Sequence, residues 1–193
     1  MKKTYLEIQV PLRYDADWFQ WLRRAFDRIR VRWQPGFHHI TMVFIDDTPQ
    51  DVDLLPIIEK HLGGLPAPTL EFDKLDAFTV TNGGMHIINL TTTHVPQEFL
   101  ATIEALRKDL QEAGCRIDSS FRLHVTLGRV LCDEADLATI QAALTTVAPP
   151  KFTLCLTDVD YREFRGKTLY QTTLNVSDNE PGEGRSIVEM KSE

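Results

Sequence analysis

The chain has 193 residues, 42% of them hydrophobic and 25% charged, with a net charge of −7. This is an ordinary globular balance for one domain, or for two small lobes sharing a core. The acidic balance excludes a global basic footprint for long duplex nucleic acid, and leaves a small ligand or a nucleic-acid end held in a locally basic cleft. No apolar run is long enough to cross a bilayer, and Met1-Lys2-Lys3 does not lead into the apolar stretch of a signal peptide, so a cytoplasmic location is expected. Cys115, Cys132 and Cys155 are scattered without CxxC spacing and read as reduced thiols.

Residues 4–12 alternate as a first strand and stop at Pro11. Asp15 or Asp17 then caps a predicted helix carrying Trp18, Leu22, Ala25, Phe26 and Ile29 on one stripe. Pro35-Gly36 is a turn, and the run Phe37-His38-His39-Ile40-Thr41-Met42-Val43-Phe44-Ile45 has strand character. Thr48-Pro49 resembles a helix start, with the helix running to His61-Leu62 and Pro56 marking a kink or a later true start. Residues 69–80 and 84–92 are predicted as two strands joined at Asn82-Gly83, a strong hairpin signal. A long amphipathic helix from about Pro96 to Ala113 carries Phe99, Ile103, Leu106 and Leu110 and closes at Gly114. A further strand covers 121–131, and Asp133 caps a shorter helix through Val147. Residues 151–164 and 167–176 form a last hairpin turning near Arg165-Gly166-Lys167, and the chain from Ser177 onward is a polar tail. Residues 1–176 therefore read as one bilobal domain and 177–193 as its tail.

Two of these strands repeat one pattern: His39-Ile40-Thr41 and His124-Val125-Thr126. Side chains alternate along a strand, so each segment sets an imidazole and a hydroxyl on one face and a β-branched residue on the other. A single His-x-Thr is common by chance and would read as a core or edge residue. Two copies with apolar flanks are a different matter, because each is followed by a helix and a hairpin and the two halves fit lobes facing across a cleft. His38, His61, His86 and His94 have no matching threonine.

Two imidazoles suit in-line displacement at phosphorus. One takes a proton from the attacking oxygen while the other supplies one to the leaving oxygen on the opposite side. The threonines can donate hydrogen bonds to non-bridging oxygens as charge develops. Threonine is a poor zinc ligand and the spacing is not that of a metal site, so the pattern points away from metal. No G-x-S-x-G elbow is present.

Together with Arg32-Trp33 ahead of the first motif, His39-Ile40-Thr41-Met42-Val43-Phe44 and Phe121-Arg122-Leu123-His124-Val125-Thr126-Leu127-Gly128-Arg129-Val130 resemble the 2H phosphoesterase superfamily, and within it the 2′-5′ RNA ligase or RNA 2′,3′-cyclic phosphodiesterase branch. The resemblance runs from about Tyr5 to Val176. It implies an α+β fold, two-lobed and pseudo-symmetric, with antiparallel sheets lining a central groove and helices outside. It also implies cofactor-free hydrolysis of 2′,3′-cyclic phosphates to 2′-phosphates, in a family associated too with ligation of tRNA halves. Leu123 stands where the family often has proline, Met42 where leucine is usual, and Phe44-Ile45-Asp46-Asp47 lacks the glycine often found after the first motif strand.

The expected catalytic pair is then His39, protonating the leaving 3′ oxygen, and His124, activating water. Thr41 and Thr126 would bind phosphate. Arg122 shares the parity of His124 and is a phosphate candidate. Arg129 reaches the same face only if the strand is irregular near Gly128. Trp33 or Phe37 could stack a base. The expected ligand is a small nucleotide or an RNA end carrying a cyclic phosphate. The competing expectation is a non-catalytic module binding nucleotides or RNA ends in the same groove.

Overall fold

The computed structural model describes residues 3–13, 15–80, 84–118 and 120–176. In chain order these form β1 (Thr4–Val10), α1 (Asp17–Ala25), β2 (Arg32–Trp33), β3 (His38–Asp47), α2 (Leu55–Leu62), β4 (Thr69–Phe72), β5 (Lys74–Val80) and β6 (Met85–Thr91). There follow α3 (Gln97–Glu112), β7 (Arg116–Ile117), β8 (Val125–Leu131), α4 (Leu137–Thr145), β9 (Phe152–Cys155), β10 (Asp158–Glu163) and β11 (Thr168–Thr173). Among the described residues no helix is long and apolar enough to cross a membrane.

Nine strands form one sheet, with a main path β11-β10-β1-β3-β8-β6-β5 and antiparallel neighbours throughout. The two strands that carry the His-x-Thr motifs meet at its centre through a single register pair, Ile40 opposite Val125. On either side of that seam the sheet divides into two lobes that are not the two halves of the sequence. The hairpin β5–β6, which follows the first motif, pairs with the second motif strand β8. The hairpin β10–β11, which follows the second motif, pairs with β1 beside the first. The short strands cross over in the same way, β2 onto β8 and β7 onto β3. Each lobe therefore needs both halves of the chain.

One face of this sheet is apolar. Leu6, Ile8, Ile40, Met42, Val125, Leu127, Ile88 and Leu90 are fully buried there, in one cluster with Leu22 of α1, Ile58 of α2, Phe99, Ile103, Leu106 and Leu110 of α3, and Ile140 of α4. The alternate residues turn to the opposite face and form the groove floor.

Both motif strands carry a bulge at one relative place. The β1–β3 register slips between Leu6 and Glu7, leaving Met42 as an extra residue immediately after Thr41. The β6–β8 register slips between Ile88 and Asn89, leaving Leu127 extra immediately after Thr126. In each strand two consecutive residues are buried as a result, Met42-Val43 and Leu127-Gly128. A bulge resets which face the following side chains meet.

Several element boundaries differ from the sequence expectation. The first helix stops at Ala25, with Ala16 at its N-cap and no side-chain cap, because the Asp15 carboxylate is held by Arg13 at 2.7 Å and 3.0 Å. Thr48-Pro49 starts no helix, and α2 begins late with Pro56 in its first turn, where a missing N–H costs nothing. Asp136, not Asp133, caps α4 by accepting the Thr139 N–H at 2.7 Å. The segment 69–80 is two strands broken at Asp73, whose carboxylate accepts from the backbone N–H and the hydroxyl of Thr93. The segment 151–164 is likewise split, and its first piece, β9, pairs with β4 as a separate two-stranded sheet. The Asn82-Gly83 turn and the tail from Ser177 lie outside the described residues.

Candidate active site

His39 lies within β3, while His124 stands one residue ahead of the paired part of β8. Ile40 and Val125 point into the core with no exposure, so His39 and Thr41 face the groove on one side of the seam, and His124 and Thr126 on the other. All four are partly exposed. Because the strands are antiparallel about the Ile40–Val125 pair, a step of one residue brings His39 toward Thr126 and Thr41 toward His124. This is a local two-fold arrangement of two identical pairs of side chains.

The two imidazoles are held differently. His124 Nδ1 lies 2.8 Å from the Arg122 carbonyl oxygen, which can only accept. In the neutral ring the proton therefore sits on Nδ1 and Nε2 keeps its lone pair. The edge of the ring meets Phe78, with centroids 5.1 Å apart. Burial holds the His124 pKa below its usual value; the Arg122 carbonyl works against that, and the positive Arg122 and Arg129 add to it.

His39 is stacked on Phe37, with ring centroids 5.5 Å apart, and Tyr5 lies on another side at 6.1 Å. Its Nδ1 is buried without a hydrogen-bond partner, and its Nε2 lies 3.4 Å from Glu7 Oε2. Burial first, then the positive charges of His124, Arg129, Arg162 and His38, bring the His39 pKa down to about 4. That His124 acts on His39 in this way places the two imidazoles within electrostatic reach of each other. Glu7 has no exposed surface, and burial raises its carboxyl to about 7 against the opposing pull of Arg162, whose Nη1 is 3.4 Å from Oε1.

Arg129 reaches the groove face because of the bulge at Leu127. It is three residues beyond Thr126 yet on the same side, and its Nη1 donates to Gln34 Oε1 at 2.6 Å. It raises the local potential at both histidines. The Arg122 guanidinium covers the Phe78 ring at 4.4 Å, beside His124, and the Arg162 guanidinium covers Phe37 at 5.8 Å, beside His39. Each imidazole thus borders a phenyl ring that itself carries a cation. Trp33 stands elsewhere. Its ring packs edge-on against Phe19 at 5.5 Å and Phe26 at 6.0 Å and lies over Gly128, where an added Cβ would come within 3.0 Å of it. Trp33 is half-buried against the core cluster.

Comparison with known proteins adds the family. A family model described as the 2′-5′ RNA ligase superfamily matches residues 11–168. The chain belongs to that superfamily. Its fold is similar to that of E. coli LigT complexed with 3′-AMP, at TM-score 0.61 and 19% identity over 90% of this chain and 98% of LigT. It is also similar to TT0787 of Thermus thermophilus, at TM-score 0.60 and 20% identity with the same coverage of 90% and 98%. Kluyveromyces marxianus Usb1 matches at TM-score 0.53 and 9% identity, again over 90% and 98%. Comparison with curated protein sequences gives no match. The resemblance read from the two motifs is borne out, as is the α+β fold with antiparallel strands.

Four groove residues of this 2′-5′ RNA ligase superfamily member carry no signal in the motifs: Tyr5 and Glu7 of β1, Phe78 of β5 and Arg162 of β10. They come from strands remote in sequence from the histidines they border. Glu7 falls at an ordinary outward position of the alternating first strand, between Leu6 and Ile8, and nothing local says which neighbour it meets.

Proposed function

We propose that this chain is a phosphodiesterase that opens 2′,3′-cyclic phosphates, at an RNA end or on a related small nucleotide, by two-histidine acid–base catalysis. The observation that carries the reading is the pair of His-x-Thr segments on one sheet face, disposed two-fold about Ile40 and Val125. His124, its proton fixed on Nδ1 by the Arg122 carbonyl, offers Nε2 as the base. It takes a proton from water as the water oxygen bonds to phosphorus. The P–O3′ bond breaks in line, its electron pair goes to O3′, and His39 supplies the proton there, leaving a 2′-phosphate. Thr41 and Thr126 donate to the non-bridging oxygens, and Arg129 offsets the charge that gathers on them. Solved structures of E. coli LigT hold 3′-AMP, ATP, NADP+ and phosphate, which supports a nucleotide phosphate as the ligand of a chain with this fold.

The test is incubation with the four nucleoside 2′,3′-cyclic phosphates in EDTA, with products followed by chromatography. The expected product is the 2′-phosphate, and turnover is expected to survive EDTA because the two imidazoles supply both proton transfers. It disappears in His39→Ala and in His124→Ala, each with an unchanged circular dichroism spectrum. Full activity in either single variant overturns the reading. Tight binding of the cyclic nucleotide without turnover by the unaltered protein identifies a binding module instead.

A further inference from the structure

The groove floor beneath His39 contains a buried carboxyl side chain, Glu7. Glu7 lies on β1 between the core residues Leu6 and Ile8 and has no exposed surface. Withdrawing an ionised carboxylate from water costs several kcal/mol, on the order of what a whole hydrophobic side chain returns, unless it is paired or protonated. The groups that face it are few. From β10, Arg162 Nη1 approaches Oε1 at 3.4 Å, and Asp160 stands opposite Glu7 in register, its own oxygens taken by the Gln9 and Gln171 amides at 2.8 Å and 2.7 Å. From β3, His39 Nε2 lies 3.4 Å from Oε2, and Thr41 stands directly across. Tyr5 is its neighbour on β1, and Arg129 and His124 of β8 complete the charged surroundings of His39.

The other lobe shows what this arrangement adds. There the residue opposite Thr126 is Asn89, as Glu7 is opposite Thr41. Asn89 is also buried, but it is neutral and its amide donates to the Asp76 carbonyl at 3.0 Å. The structure thus sets a carboxyl opposite one threonine and within reach of its histidine, and a neutral amide opposite the other threonine. His39, whose remaining charged neighbours are all cationic, is the one that receives the carboxyl.

We propose that Glu7 is a positioning residue for His39: its carboxyl and the His39 imidazole share one proton, which His39 delivers to the leaving oxygen, so that Glu7 commits His39 to the acid role. The inference rests on the phosphodiesterase reading above. Glu7 Oε2 is buried with no hydrogen-bond partner and lies 3.4 Å from His39 Nε2, so before turnover the single proton of the pair resides on one of these two atoms and passes to the other as they close up. When the P–O3′ bond breaks, that proton goes to O3′, leaving a carboxylate that faces a neutral imidazole and Arg162. The pair takes a proton back from solvent as product leaves. Burial sets the window for this, with the Glu7 carboxyl raised to about 7 and the His39 imidazole lowered to about 4. Between those values the pair carries one proton, whereas His39 by itself would have none to give at neutral pH.

The experiment combines steady-state hydrolysis of a 2′,3′-cyclic nucleotide across pH with NMR titration of protein labelled with ¹⁵N-histidine, for the unaltered chain, Glu7→Gln and Glu7→Asp. In the unaltered chain the His39 ring nitrogens report a transition near pH 7, and in Glu7→Gln that transition vanishes while the His124 signals keep their course. In Glu7→Gln, kcat at neutral pH falls roughly 10- to 100-fold with KM within twofold, less than the roughly 10²- to 10⁴-fold that a positioned proton donor supplies because His39 itself stays in place, and the alkaline limb of the profile moves to lower pH. Glu7→Asp keeps the charge and restores part of both effects, and it carries the test if Glu7→Gln does not fold. Superimposable pH profiles, or an unchanged His39 titration in the folded variants, overturn the proposal. Absence of turnover by the unaltered chain overturns the phosphodiesterase reading instead, and the NMR titration still decides whether Glu7 and His39 share a proton.

Discussion

The two halves of the groove were built alike and then furnished differently. Each has a core-facing β-branched residue between its histidine and threonine, a bulge directly after the threonine, and a phenyl ring carrying an arginine beside the imidazole. After the bulge the first half presents Phe44 where the second presents Arg129. Beneath the threonine the first has Glu7 and the second Asn89. Where pairing resumes after the bulged residue, the first packs Val43 and the second Gly128. The shared features fix where two imidazoles and two hydroxyls stand, as displacement at a single phosphorus requires of both sides. The differences fall on protonation and charge, and these are what one acid and one base need to be unlike.

That comparison breaks most readily at the histidines. His39→Ala and His124→Ala should each lower kcat for a cyclic phosphate by roughly 10²- to 10⁴-fold, the range for a positioned acid or base, measured on variants whose circular dichroism is unchanged. A loss confined to one of them makes the other half mere scaffold. The threonines come next. Thr41→Ala and Thr126→Ala should each cost about 10²- to 10³-fold in kcat if both donate to oxygens that gain charge in the transition state. Matched losses within about threefold sharpen the two-fold picture, and a loss at only one of them ends it.

Gly128→Ala probes the half where β2 pairs with β8, Trp33 opposite Gly128. An added Cβ would lie 2.7 Å from Val31 Cγ1 and 3.0 Å from the Trp33 ring, so thermal unfolding should show a loss of about 1–3 kcal/mol, typical of an overfilled core. The corresponding place in the first half already accommodates Val43, fully buried, because β7 pairs with β3 only from Ile45 onward, whereas β2 pairs with β8 at Gly128 itself.

The smallest expected effect is in the pH dependence of stability. His38 and His39 are pushed down by burial from 6.5 to about 4, so between those values the unfolded chain binds more protons and stability falls as pH falls. Glu7 is raised from 4.5 to about 7, so there the folded chain binds more and this contribution fades as pH rises through that window. The two oppose each other. Glu7→Gln removes the second, and its melting temperature should drop more steeply than that of the unaltered chain as pH falls across the histidine window. Parallel curves would mean that Glu7 titrates in the folded chain as it does in the unfolded one.

Much of the groove was legible before folding. The positions of His39, Thr41, His124 and Thr126 on strands, and the pairing of His with Thr on one face, follow from alternation alone. Parity left Arg129 conditional on an irregular strand, and the bulge at Leu127 meets that condition. Element boundaries were less legible. Asp133 and Asp136 are equally good caps in sequence, and the splits at 69–80 and 151–164 exist because β4 and β9 find each other across the molecule. Phe37 keeps its place beside His39, but Trp33, equally aromatic, was claimed by Phe19, Phe26 and Gly128.

The sequence by itself determined the chemistry: two imidazoles with two hydroxyls, repeated on strands, because side-chain direction in a strand is a local property of period two. The tertiary structure decided what surrounds them. Pairing of β1 with β3 brings Glu7 to His39, and exchange of hairpins between the two halves brings Arg162 there and Phe78 and Asn89 to the strand of His124. Burial in that setting moves their proton equilibria apart. Strand pairing is a contest among distant segments for the same hydrogen-bonding edge, so no local pattern records its outcome, and the unlike surroundings of two like motifs exist only once the sheet is complete.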